Sequence, residues 1–445
     1  MVCFLSIYKK TYYVPLENYY PKYINQIELY FIYKIKNNLY MSKNVKEIKK
    51  FEFSKVGTLL DNIAKTTPIQ IVKDIKEKTF ISTGVYLLDA CLSARMIGGG
   101  IPSSKIVGII GESGSGKSYI AYSICKSAQK DGYSIIFIDT EESIDLEDFP
   151  KYGVDNNIDK MRLIKTNKVE DINITLTQLL DELKESKIAG YEIPKIMIVL
   201  DSIGMLSSQK EKNDLISGNI KQDMTRAKAL NAMFRSINSD LGFLNIPMIC
   251  TNHSYLSQDL FPKEIAKGGM GLIYSASVLC YLSKSKLKDG SEDDMDLGQS
   301  GITVLLKTQK NRLAKPKKIR FDISFVHGMN PYTGLDTFLR PEFFDRIGIA
   351  CGKMEIDKKT GVMNFVPGGN RWYVSHLNKS VTTKNLFTPE IFTPEILEKL
   401  NPIVSDYFKF KSLDEIEEVE KQFDEIMNDV EEVDGMDASD FFDQE

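Results

Sequence analysis

The sequence predicts an α/β fold built on a mainly parallel, twisted sheet, and three observations carry that prediction. From about Ile81 to Phe325, short apolar runs alternate with helical stretches, the pattern of repeated βαβ units. Gly111-Glu112-Ser113-Gly114-Ser115-Gly116-Lys117-Ser118 matches G-x-x-x-x-G-K-[ST] at every defined position. It follows the apolar run KIVGII and precedes a helical stretch, the context a phosphate-binding loop requires. IMIVLD then sets Asp201 at the carboxyl end of a wholly apolar strand, where open α/β sheets hold their ligands.

The elements follow in order. Strands are expected at Lys105–Ile110, Ser134–Asp139, Lys195–Leu200, Met248–Thr251, Val278–Leu282, Ile302–Lys307 and Ile319–Ile323, each a short apolar run. Helices are expected at Lys117–Lys130, Ile172–Ser186 and Gln222–Ser239. The 445 residues allow about two or three domains. Residues 1–40 hold nine of the 21 tyrosines, with no clean period and no secretory leader pattern. They read either as a non-native or disordered extension ahead of a start at Met41, or as an accessory arm. Residues 41–80 read as a helical, oligomerisation segment, 81–334 as the core, 335–412 as a small C-terminal domain and 413–445 as an acidic tail.

Composition bounds the function. Hydrophobic residues make 42% and charged residues 27%, which excludes a collagen-like or wholly disordered chain. No run of about 18 apolar residues occurs, so a soluble protein with no membrane partner is expected. Residues 413–445 hold fifteen acidic side chains and one lysine, so the chain's net −4 hides a body of about +10. The tail is expected to be solvated, and it can compete as a tethered polyanion for the basic body, add solubility, or dock a partner. Six isolated cysteines and three dispersed histidines read as reduced thiols in a cytosolic compartment without a His or Cys metal site.

The loop assigns chemistry directly. Its backbone N–H groups would curl around phosphates at a helix N-terminus, Lys117 would neutralise the β- and γ-phosphates, and Ser118 would ligate Mg²⁺. With that loop upstream, Asp201 would hold the Mg²⁺ shell. The strand SIIFID ends in Asp139-Thr140-Glu141-Glu142. From spacing alone, either glutamate could orient or deprotonate a water, or the segment is a solvated acidic loop.

Several further segments stand in register. Ser82-Thr83-Gly84, Leu88-Asp89, Gly98 to Gly100, the phosphate loop, FIDTE, Asp223 to Lys228, Asn252-His253, GGMG with Tyr274 to Ala276, and Asn330 to Leu335 together resemble the RecA-type recombinases, and among them the UvsX recombinases of large bacteriophages. The resemblance covers residues 45–340 well and the C-terminal domain weakly. It implies a RecA-type P-loop NTPase core that binds ATP and Mg²⁺ and hydrolyses ATP to ADP and phosphate.

The resemblance also assigns residues. The catalytic glutamate maps onto Glu141, and a polar γ-phosphate sensor onto His253. Ser207–Gln222, with Lys210, Lys212 and Lys221, resembles the first DNA loop, with Arg226 on the helix behind it. Ser254–Lys267, with Tyr255, Phe261, Lys263 and Lys267, resembles the second, and such residues suit single-stranded DNA because bases stack while phosphates are neutralised. Lys310 and Arg312 resemble paired cations reaching a neighbour's γ-phosphate. The adenine-stacking aromatic of the family falls on Asp148, which leaves the adjacent Phe149 as the possible substitute.

Together these imply a helical filament on single-stranded DNA that pairs it with homologous duplex DNA, aided by mediator and single-strand-binding proteins, in the cytoplasm, or a host bacterial cytoplasm if the chain is viral. A hexameric helicase on the same core and a non-hydrolysing ATP-switched adaptor are the alternatives.

Overall fold

The computed structural model describes residues 5–7, 10–12, 53–64, 79–218, 225–256, 264–266, 270–287 and 300–411. The acidic tail and most of residues 1–52 lie outside these. Two compact units divide the chain, Met1–Ile71 and Val72–Glu445. The first contains an antiparallel pair, β1 (Leu5–Ile7) and β2 (Lys10–Tyr12), and helix α1 (Phe53–Ala64), which falls in the stretch expected to be helical.

The second unit opens on a latch. Strands β3 (Phe80–Ile81) and β4 (Ile101–Pro102) pair antiparallel around helix α2 (Tyr86–Ser93). Asp89, buried on α2, accepts hydrogen bonds from Ser82 Oγ at 2.6 Å, Thr83 N at 2.6 Å and Thr83 Oγ1 at 2.6 Å. The Ser82-Thr83-Gly84 and Leu88-Asp89 segments thus meet in a structural knot. Gly100 closes it at φ +116, where a Cβ would stand 2.1 Å from the Ile81 carbonyl oxygen, so no other residue fits.

A ten-stranded sheet forms the centre. Its parallel part comprises β5 (Ile106–Gly111), β6 (Ser134–Asp139), β7 (Met161–Lys165), β8 (Ile196–Asp201), β9 (Met248–Leu256) and β11 (Val278–Leu287), in the order β11-β5-β9-β8-β6-β7. Strand β10 (Glu264–Ala266) pairs antiparallel with the end of β9. Antiparallel β12 (Gly301–Asn311), β13 (Lys318–Ser324) and β14 (Gly328–Met329) extend the other side. Helices α3 (Lys117–Lys130), α4 (Val169–Ile188), α5 (Gln209–Ile216) and α6 (Thr225–Leu244) and the short α7 (Gly271–Ser275) fill the crossovers.

Every residue of β5 and β8 is buried, as a sheet covered on both faces demands. Alternate side chains serve two cores. Val107, Ile109, Phe137 and Val199 pack with α2 and α3, while Ile106, Ile110, Ile198 and Leu200 pack with Ile172, Leu176 and Leu180 of α4 and Leu230, Phe234 and Ile237 of α6. The expected α3 and β6 bounds match the structure, and the other expected strands and helices are present with longer or shifted ends. Gln222 to Met224 lie outside the described residues.

Edge strand β7 escapes sequence reading because Arg162 and Lys165 interrupt a five-residue run. Beyond it, α8 (Phe344–Ile347) leads into a three-stranded antiparallel sheet of β15 (Ile349–Ile356), β16 (Met363–Val374) and β17 (Lys379–Thr382), and α9 (Pro394–Phe408) follows. Helix α9 packs Leu400, Val404 and Phe408 into the same core as α2 and α3. No helix among the described residues is long and apolar enough to cross a membrane.

The latch yields a stability test. Burial pushes the Asp89 carboxyl up to about 7 against the pull of hydrogen bonds from Ser82 and Thr83. Its folded value then lies above the unfolded one of about 4, so its contribution is full below about pH 4 and lost as pH rises through about 7. Urea midpoints should therefore fall between pH 5 and pH 8, and Asp89→Asn should flatten that slope. Asp89→Ala, which strands buried donors, should cost on the order of 3 kcal/mol.

Candidate active site

Three parallel strands, β5, β6 and β8, end side by side along β9, and this edge carries the site. Strand β5 ends at Gly111, the loop runs to Gly116, and α3 begins at Lys117. Gly114 and Gly116 take φ of +69 and +91, left-handed values that curl the loop. A Cβ on Gly111 would stand 2.6 Å from the Leu282 carbonyl oxygen, and one on Gly116 would stand 2.6 Å from Ile323 Cδ1. Lys117 is buried and its Nζ donates to the Glu112 carbonyl across the loop at 2.8 Å. Burial holds that ammonium below its ordinary value, partly offset by the charges of Asp201 and Glu141.

This loop fits a polyphosphate. Ser115 Oγ is buried without a hydrogen-bond partner among the described residues, and such groups normally have one. The N-terminus of a 14-residue helix faces the same loop, so backbone donors and the helix dipole favour an anion there. A cation fits too. Asp201 is buried at the end of β8 and accepts from Thr251 Oγ1 and from Ser118. Burial pushes its carboxyl up, and those hydrogen bonds and the charge of Lys117 oppose the rise. Ser118 and Asp201 could hold Mg²⁺ as a hydroxyl and a carboxylate, since that ion needs few protein ligands beside phosphate oxygens.

The two glutamates that follow β6 differ in their surroundings. Asp139 turns the chain at the end of β6, its carboxylate accepting from Glu141 N at 3.0 Å, Ser143 N at 2.9 Å and Ile144 N at 3.2 Å. Glu141 Oε1 then accepts from Ser202 Oγ at 2.6 Å and meets His253 Nε2 at 2.8 Å. A carboxylate only accepts, so His253 presents Nε2–H. Burial raises the Glu141 carboxyl, but the hydrogen bonds from Ser202 and His253 and the charges of His253 and Lys117 outweigh it and leave the group below its ordinary value. Glu141 and Glu142 are both exposed, but Glu142, at φ +52, shares neither of these contacts.

Other expected residues lie elsewhere. Lys210 and Lys212 sit on α5, so half of the first expected DNA loop is helical. Lys212 Nζ donates to Asn167 Oδ1 at 2.6 Å, and Arg226 Nη1 donates to the Leu206 carbonyl at 3.2 Å. Of the second expected loop, residues 254–256 and 264–266 pair antiparallel and extend the sheet, with Tyr255 of β9 opposite Ile265 of β10 and 49% exposed. Lys221, Phe261, Lys263 and Lys267 fall outside the described residues.

Lys310 and Arg312 stand apart from this chain's own phosphate loop. Lys310 is opposite Leu279 near the start of β11, whereas Gly111 is opposite Leu282. Three strand residues span about 10 Å, and the loop lies beyond that. Lys310 Nζ donates to the carbonyls of Ile273 at 2.8 Å and Tyr274 at 3.0 Å, and burial with the neighbouring Arg312 charge lowers its value.

The adenine expectation needs correction. Phe149 is fully buried, packed edge-on to Tyr122 and Phe137 at ring separations of 5.7 Å and 5.1 Å, so it cannot face a base. Asp148 pairs with Lys151 at 2.5 Å. The exposed aromatic on this side is Tyr152, 4.6 Å from the Tyr122 ring and 5.9 Å from that of Tyr119, the residue after Ser118. Sequence reading also passed over Lys284, whose Nζ donates to the Ser113 carbonyl of the loop at 2.6 Å. Its place on the exposed end of β11 gave no periodic signal, and only the β11–β5 pairing brings it to the loop.

Residues 55–330 match the RecA N-terminal domain. The chain belongs to the RecA family. It is 28% identical over 370 residues to the "Recombination and repair protein" of Enterobacteria phage T4, covering 82% of this chain and 87% of that one, in keeping with the UvsX-like pattern of its motifs. It is 28% identical over 256 residues to the "Protein RecA" of Crocosphaera subtropica, covering 56% of this chain and 66% of that protein. With the "Protein RecA" of Treponema denticola it shares 29% identity over 274 residues, 60% of each chain. The family-model match thus covers the sheet and the site and ends before the small C-terminal sheet and α9, whereas the match to the phage protein takes in more of the chain.

Because the Leu282 carbonyl leaves no room at Gly111, Gly111→Ala should displace the loop from its strand. Overpacking of this kind costs about 1–3 kcal/mol, so titration with a fluorescent adenine nucleotide should show affinity reduced about tenfold or more.

Proposed function

We propose that the chain is an ATP-dependent recombinase acting in DNA recombination and repair, one that polymerises on single-stranded DNA and promotes homologous pairing and strand exchange. The observation that carries this is the contact of Glu141 with His253. It links the hydrolytic carboxylate to β9, the strand that runs straight on into the second expected DNA loop.

In this reading Lys117 and the loop amides bind the β- and γ-phosphates, and Ser118 and Asp201 hold Mg²⁺, which when bound would neutralise phosphate charge. Glu141 orients a water towards the γ-phosphorus and takes its proton at the carboxylate, giving ADP and phosphate. His253 can leave Glu141 for a γ-phosphate oxygen, so nucleotide state reaches Tyr255 and the hairpin. Lys310 and Arg312 serve the site of the next subunit, where their charge stabilises the transferring phosphoryl group. Tyr152 takes the adenine contact. Lys210, Lys221, Arg226, Tyr255, Phe261, Lys263 and Lys267 contact single-stranded DNA, with Lys212 bracing the first loop through Asn167. Mediator and single-strand-binding proteins are the expected partners, and the cytoplasm, that of a bacterial host for a viral chain, is the expected compartment.

A joint-molecule assay with homologous and heterologous duplexes tests this directly. Homology-dependent products are expected, and ATP hydrolysis without them would leave a motor or an adaptor instead. Glu141→Gln should bind MgATP and DNA normally yet hydrolyse about 10²-fold more slowly, while Glu142→Gln should stay within about twofold of the parent, read by phosphate release.

The arrangement in trans makes a separate prediction. Lys310→Ala should be as defective in hydrolysis as Glu141→Gln. In an equal mixture, a site regains both parts only when a Lys310→Ala subunit follows a Glu141→Gln subunit. About a quarter of sites should then recover, as expected for a head-to-tail interface. No recovery on mixing would place Lys310 in its own chain's chemistry or in structure alone.

A further inference from the structure

Ser202 follows Asp201 and is fully buried, and its backbone and side chain do separate work. Its amide donates to Thr140 Oγ1 at 2.9 Å, its carbonyl accepts from the same hydroxyl at 2.6 Å, and Thr140 N donates to the Asp201 carbonyl at 2.8 Å. Thr140, also buried, thereby locks the ends of β6 and β8 together through the Ser202 backbone. The Ser202 hydroxyl is left with one partner, Glu141 Oε1, at 2.6 Å.

The geometry points to Ser202 as a positioning residue for Glu141, fixing the rotamer of the water-activating carboxylate. A glutamate has three rotatable side-chain bonds, and only donors from the surrounding framework can select one arrangement. Both donors to Glu141, Ser202 and His253, converge on Oε1. Oε2 has no protein donor among the described residues and is the oxygen available to a water. The two donors differ in freedom. Ser202 is clamped by Thr140 on both sides, whereas His253 is partly exposed on a strand that continues into the hairpin. If His253 turns to phosphate, Ser202 alone keeps Glu141 in place. The inference rests on the reading of Glu141 as the hydrolytic group.

Three full-length variants test it, using MgATP with an oligo-dT single strand for turnover and a slowly hydrolysed thio-analogue of ATP for DNA binding. Ser202→Ala leaves the Thr140 lock intact, because that lock uses only the Ser202 backbone. It should lower kcat about tenfold, with KM for ATP, analogue-supported DNA affinity and unfolding midpoint all within about twofold or about 2 °C of the parent. Ser202→Thr, which keeps a hydroxyl, should recover most of the rate. In a Glu141→Gln background, Ser202→Ala should add no further loss, since two residues acting as one unit are not additive.

An unchanged kcat for Ser202→Ala overturns the inference, as does an equal further loss in the Glu141→Gln background. A parallel fall in kcat, DNA affinity and melting midpoint, unrelieved by Ser202→Thr, would make Ser202 structural. Should Glu141→Gln itself hydrolyse normally, the reading of the site fails and the inference with it; a slow Glu141→Gln beside a normal Ser202→Ala rejects only the positioning role.

Discussion

The site depends on one register. Gly111 lies opposite His253 in the β5–β9 pair, and Asp139 lies opposite Asp201 in the β6–β8 pair. These pairings align the ends of β5, β6 and β8 with His253 of β9 along one edge of the sheet. Side chains alternate along a strand, so a slip of one residue would turn Asp201 from its partners Ser118 and Thr251 to the other face. The strands are held against such a slip because both faces are buried. A shift would exchange Ile198 and Leu200 with Met197 and Val199 between two differently shaped cores.

On that edge, burial acts on opposite charges. It lowers Lys117 and raises Asp201, each towards its neutral form, and each is partly restored by the other's field. Glu141 is treated differently. Hydrogen bonds from Ser202 and His253 keep it ionised despite burial, so the carboxylate assigned to base chemistry stays an acceptor while the buried one leans on its ligands. The two carboxylates repel one another, and Lys117 is the charge they share. Loss of that lysine would therefore disturb the electrostatics of both glutamate and aspartate, beyond removing one phosphate contact.

Legibility in the sequence follows the same physics. The phosphate loop, Asp201 and the apolar strands could be read because each is local, a turn that only glycine can make or a run that only a buried strand tolerates. Thr140 and Ser202 could not, because their roles are hydrogen bonds between strand ends 62 residues apart. Lys284 was hidden for the same reason. Phe149 misled because an aromatic next to a family position says nothing about its face, and the 3-10 turn Leu146–Tyr152 points it inward. The C-terminal sheet was unreadable since β16 is mostly exposed and broken by Pro367, Gly368 and Gly369, which removes the alternation that marks a strand.

The last consequence concerns assembly. Strand β12 runs antiparallel to β11, so the end that carries Lys310 and Arg312 points away from the edge that carries Lys117, Asp201 and Glu141. A single chain therefore owns the phosphate loop and the carboxylates at one end of its sheet and two cations at the other. Under the proposed function these halves meet only between subunits, and an isolated chain holds nucleotide without completing the charge that its hydrolysis develops. The anchoring of Lys310 by the Ile273 and Tyr274 carbonyls ties it to the segment that follows the second expected DNA loop. Under the proposed function, contact with DNA and the anchor of the cation that serves the neighbour's phosphate then fall on the stretch from β9 to α7, so the path of the chain would tie hydrolysis to assembly on DNA.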